Sequence, residues 1–166
     1  MVSFYGAGDV GSIGFFNQGG GISLGVQMTL PAGTVTAGRW FYPDQPVGTL
    51  TWTLWNSAGT IQLATASADA VTQQTFVTFT TGSVNLPLHV AAGTYWSVIN
   101  TSGPYSAIPG FFGGGSVTRN GLTFVTSGFN TTVGSFPNSP SSASYLSDIV
   151  FTPDGTRVPD FMPFFR

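Results

Sequence analysis

Reaction chemistry has few residues to draw on in this chain. Its single histidine, His89, lies in the alternating apolar run VNLPLHV. A lone imidazole needs a nucleophile and an orienting third group to form a triad, and no G-x-S-x-G elbow is present. There is no cysteine and no second histidine for a zinc site. Glutamate is absent, so general acid–base work would fall on the aspartates. Asp44, Asp69, Asp154 and Asp160 sit beside Pro, Gly or Ala, where aspartate serves turns. Asp148 differs: it lies in a strand-like run beside Ile149 and Val150, with Arg39 or Arg119 as its expected partner in a structural ion pair. No D-x-D cluster marks a calcium loop. The glycine runs at 19–21 and 113–115 are followed by neither a lysine nor a helix, so they are not phosphate loops. These residues predict no catalytic centre, no metal and no cofactor.

Aromatic residues make up 14% of the chain and offer a different chemistry. Trp40 and Trp55 fall on strand faces shared with threonines, which predicts that they reach the surface. With Trp96, Tyr105 and the Phe111–Phe112 pair they could present flat faces to a sugar ring. The competing reading puts such aromatics in the core or at a protein interface.

Charge narrows the field further. Only 6% of residues are charged, against about a quarter in ordinary globular proteins, and lysine is absent. Such a sparse charge cannot make the basic footprint that nucleic acid requires. The formal net charge of −2 gives weak mutual repulsion, which suits life in an assembly; genomic composition bias would leave the same trace. The start, MVSFYGAGDVGSIGFF, has no basic or long apolar region, so no signal peptide is expected. No apolar run has the length to span a bilayer as a helix.

The elements that would position these residues are strands. TLTWTLW at 49–55 alternates strictly, with Leu50, Trp52 and Leu54 on one face. Asn56-Ser57-Ala58-Gly59 supplies turn chemistry before the alternation resumes at 60–64, so 49–64 reads as a hairpin. Further strands are expected at 22–30, 35–42, 74–80, 94–101 and 145–152. Pro87 demotes 84–90 to an edge or an irregular crossing. Asn120-Gly121 predicts a two-residue hairpin within 117–125. Residues 126–144 read as a long surface loop of Ser, Thr, Asn, Gly and Pro. Short strands joined by such turns, with no helix of three turns, predict an all-β antiparallel sandwich or jelly roll.

The segments TVTAGRWFYPDQPVGTLTWTLWNSAGTIQLATA, AGTYW and YLSDIVF occur in an order that resembles a jelly-roll-like domain of unknown function. That family is found in secreted, often carbohydrate-associated bacterial proteins and in actinobacterial phage proteins. Val35, Thr36, Arg39 and Tyr42 match its V-T-G-V-R-F-Y strand; Leu54, Trp55 and Gly59 match its G-x-L-W-x-x-x-G hairpin. Ala92 to Tyr95 match A-G-T-x-Y, and Tyr145, Asp148, Ile149 and Phe151 match Y-x-x-D-V-x-F. The resemblance covers about 22–152 and implies the fold. This chain shows no signal peptide and no enzyme domain beside it, which shifts the expected context from a secreted enzyme to a virion.

Both ends outside that stretch are apolar. A glycine-rich arm at 1–21 carries Phe4, Tyr5, Phe15 and Phe16, and is expected to lie on its own sandwich or on a neighbouring subunit. The tail at 153–166 ends Phe161-Met162-Pro163-Phe164-Phe165-Arg166, too much apolar surface for a solvated peptide. It either docks on a partner or folds back across its own sheet. The resulting expectation is a non-enzymatic phage virion protein, an accessory decoration or adhesion module on a head or tail surface. Its terminal arms would hold it to capsid or tail proteins or to sister copies in a homo-oligomer, with assembly in the host cytoplasm. The alternative is a secreted carbohydrate-binding module that recognises a host-surface glycan through Trp40, Trp55, Tyr105, Phe111 and Phe112. Neither reading involves nucleic acid or membrane insertion.

Overall fold

The computed structural model describes residues 1–6, 13–17, 19–43, 50–68 and 74–155. The described residues form strands β1 (Gly14–Phe16), β2 (Ile22–Leu30), β3 (Gly33–Phe41), β4 (Leu50–Asn56), β5 (Gln62–Ala68), β6 (Phe76–Val84) and β7 (Leu88–Val90). β8 (Gly93–Thr101), β9 (Tyr105–Ala107), β10 (Val117–Arg119), β11 (Leu122–Asn130), β12 (Ser139–Ser141) and β13 (Ser147–Pro153) follow.

One antiparallel path runs β10-β11-β2-β8-β4-β5-β6-β3-β13. It folds over on itself where β5 meets β6 through two register shifts, so the bulges turn the corner between two layers. β2, β8, β4 and β5 make one layer; β6, β3 and β13 make the other. Val2 adds to the free side of β13 through a backbone bridge to Phe151. The two halves, β2-β8-β4-β5 and β6-β3-β13-Val2, have the strand order of a jelly roll, with β10, β11 and β12 added at the edge of the first.

Period-two patterning explains the core. Ile22, Leu24, Val26, Met28 and Leu30 of β2 all face inward, as their alternation predicts. Trp52 and Leu54 of β4 are likewise fully buried. Trp52 lies flat against the backbone of Gly38 in the opposite layer, where any side chain would enter the indole ring. The predicted turns hold. Asn56 Oδ1 accepts the Thr60 and Ile61 amides at 2.9 and 3.2 Å, and Gly59 has φ +67°. Asn120 and Gly121 both have positive φ, 51° and 78°, as a type I′ hairpin turn requires.

One boundary needs correction. Residues 126–144 are not one loop: β11 continues to Asn130 and β12 pairs back onto it. Small residues hide the strand from sequence reading, since Ser127 and Gly128 are buried by lack of bulk while Pro137 and Ser139 press on Gly128. Residues 2–5 take the first course open to the arm, because Phe4 and Tyr5 are fully buried in the jelly roll's own core.

Candidate functional site

The N-terminal segment is held in a cradle built from β3, β10 and β13. Asp148 is opposite Arg39 in the β3–β13 register. Its carboxylate accepts the amides of Phe4 and Tyr5, both at 3.1 Å, and of Ile149 at 2.8 Å. Arg39 reaches Asp148 at 3.4 Å, donates to the Tyr5 carbonyl at 2.8 Å and to the Ser3 hydroxyl, and lies over the Phe76 ring at 4.1 Å. Burial pushes the Asp148 carboxyl up to about 6, against the pull of the Tyr5, Ile149 and Phe4 amides and of Arg39. Phe4 stacks on Phe124 at 3.6 Å, and Arg119 sits over Phe4 at 5.3 Å. The expected ion pair is therefore with Arg39, and it clamps a strap of backbone. Nothing in this cradle aims two carboxylates at a common point. His89 and Asp154 form an exposed pair at 3.1 Å on β7 and the turn after β13.

The next piece of the N-terminal arm behaves differently. β1 pairs with β9 alone among the described residues, making a two-stranded ribbon apart from the main sheet path. Phe15 and Phe16 on this ribbon are 42% and 39% exposed. Phe16 stacks on Tyr105 at 5.5 Å, and Tyr105 in turn meets Tyr145 edge-on at 6.0 Å. A small cleft of about 60 Å³ lies between Phe15, Phe16, Asn17 and Pro104.

A third feature lies on the outer face of the β2-β8-β4 layer. The registers place Gln27 and Trp55 on either side of Trp96. Phe136, from the connection between β11 and β12, packs edge-on to Trp96 at 5.2 Å and to Trp55 at 5.9 Å. Phe136 also covers Gly59 of the β4–β5 turn, and Pro137 covers Gly25. A cleft of about 280 Å³ opens beside them.

The aromatic residues expected at a surface divide sharply. Trp40 is fully buried, contrary to expectation, and donates its indole N–H to the Tyr145 carbonyl at 2.9 Å. The cause is a bulge: β3 advances from Val35 to Ala37 while β13 steps only from Phe151 to Val150. The extra residue, Thr36, breaks the alternation and turns Trp40 inward. Tyr105 is also buried, between Phe16 and Tyr145. Phe111 and Phe112 are half-buried and pack against the core, with Phe111 against Phe4 at 6.2 Å, so they cover the strap instead of forming a platform. Trp55 is half-exposed. Of the expected docking residues, Phe4 and Tyr5 are consumed by their own fold, whereas Phe15 and Phe16 remain available. Phe161, Met162, Phe164, Phe165 and Arg166 lie outside the described residues. Sequence reading placed Trp96 among the possible sugar-facing aromatics but did not join Phe136 and Pro137 to it; the Ser-Phe-Pro run at 135–137 inside a polar stretch was the available signal.

No curated protein and no solved structure matches this chain. A family model does, over residues 11–147, which takes in the β1–β9 ribbon, the aromatic face and Arg39 but stops one residue short of Asp148. With most of its length matched, the chain belongs to the family described as domain of unknown function DUF4082.

Proposed function

We propose that the protein is a non-catalytic accessory module of a phage particle, a jelly roll docked on a head or tail surface through its aromatic ends. The observation that carries this reading is the contrast within the N-terminal arm. Phe4 and Tyr5 complete the module's own core, yet Phe15 and Phe16, eleven residues on, stay about 40% exposed on the outer strand of a two-stranded ribbon whose other strand, β9, is buried. A two-stranded ribbon is marginal alone and gains from a third strand or an apolar surface laid against it. Covering the uncovered part of each Phe would contribute about 1 kcal/mol. The low charge of the chain keeps the cost of desolvating the surrounding surface small. The virion context rests on the family resemblance and on the apolar tail, which would be a second contact. Arg39 and Asp148 take no part in docking in this reading; they hold the strap.

The test is co-sedimentation of full-length protein with phage particles from which the gene has been deleted. Wild type should bind and the double variant Phe15→Asp/Phe16→Asp should not, while its melting curve shows that it remains folded, with a modest loss because Phe16 stacks on Tyr105. Equal binding by both proteins would rule out the ribbon as the docking element.

A further inference from the structure

We infer that the cleft beside Trp96 is a binding site for one neutral sugar ring of a surface glycan. It is lined by Trp96, Thr126, Ser127, Phe136, Pro137 and Asn138, and none of its lining residues is charged. That lining argues against phosphate, nucleotide or acidic ligands, which call for Arg, Lys or a metal. Its volume, about 280 Å³, is just below the range typical of drug-sized ligands and suits a single ring. A sugar ring has an apolar C–H face and a rim of hydroxyls. Phe136 supplies most of the aromatic surface to the first, since only 8% of Trp96 is exposed; the Thr126 hydroxyl and the exposed Asn138 amide can bond the second.

The walls are fixed in advance. Phe136 is pinned between two indoles and Gly59, Pro137 rests on Gly25 and Gly128, and Asn130 Nδ2 donates to the Phe136 carbonyl at 3.0 Å and to Asn138 Oδ1 at 3.3 Å. A site built before its ligand arrives loses less ordering entropy on binding.

The site is separate from the β1–β9 ribbon, so its test is independent of docking. Full-length protein is titrated with glucose, galactose, mannose and N-acetylglucosamine and with their short neutral oligomers, following tryptophan fluorescence and amide NMR shifts. At least one should perturb Trp96 and the 126–138 backbone, with saturation. Asn138→Ala should weaken that ligand about tenfold at an unchanged melting temperature. Phe15→Asp/Phe16→Asp should bind it as wild type does. The inference is overturned if no neutral sugar shifts these resonances, or if binding survives Asn138→Ala at full strength.

Discussion

Arg39 and Asp148 stand opposite each other on β3 and β13, and together they grip the backbone of Tyr5 from both sides: Asp148 accepts its amide and Arg39 donates to its carbonyl. The pair is thus a bracket for a strand-like segment from the chain's start. Asp148→Ala would leave the Phe4, Tyr5 and Ile149 amides without their acceptor and Arg39 without its counter-charge. Breaking a buried pair in this way costs about 3–5 kcal/mol. Chemical denaturation should show a loss of that size, and amide exchange should show residues 2–5 opening first.

The same carboxylate predicts a pH dependence. Burial raises Asp148 from 3.8 to about 6, so the folded protein holds this proton more tightly than the unfolded chain does. Its contribution to stability is fully present below 3.8 and is lost as pH rises through about 6. Denaturation midpoints measured between those values should therefore fall as pH rises. In Asp148→Asn that part of the slope should vanish. A wild-type curve that is flat across this window, or a slope that persists unchanged in the variant, would contradict the assignment.

Phe4 and Phe15 give a matched pair for dissecting the N-terminal arm. Phe4 is fully buried and stacked on Phe124, so Phe4→Ala should cost about 3–5 kcal/mol. Phe15 is 42% exposed on the ribbon, and Phe15→Ala should change monomer stability by about 0.5 kcal/mol or less. Thermal melts of the two variants side by side would check it. Similar losses would mean that the arm packs as one piece.

How much of this was legible from residue order depended on whether side-chain size reported the face. β2 reads correctly from end to end because five large apolar residues mark its inner side. The β10–β11 turn reads correctly because Asn120-Gly121 has few other backbone options. Trp40 misleads because one bulge residue, Thr36, shifts the period, and pairing register cannot be seen in a single strand. β11 is lost beyond Val125 because Ser127 and Gly128 are buried for being small. The Trp96 cleft joins β8, β11 and the connection to β12, and only the folded registers bring those together. Arg39 and Asp148 were recognisable as a candidate pair, but the strap they hold was not, since nothing local distinguishes a core Phe4 from an exposed Phe15.

Gly38 tests the contact between the two layers. Trp52 from β4 occupies the space where a Cβ on Gly38 would lie, and its indole N–H is fixed by the Ser97 hydroxyl at 2.8 Å. Ser97 is tied in turn to the Ser147 hydroxyl at 2.7 Å and to the Asp148 carbonyl at 3.1 Å, so the indole cannot retreat without breaking a buried polar link between the layers. Gly38→Ala should therefore cost about 1–3 kcal/mol as overpacking, and more where the Ser97 link is also lost. Trp52 fluorescence should shift as the indole N–H loses its partner. The double variant Gly38→Ala/Trp52→Phe should recover part of the stability, because the smaller ring leaves room for the methyl group. A single variant as stable as wild type would show that the layers are not in contact at this point.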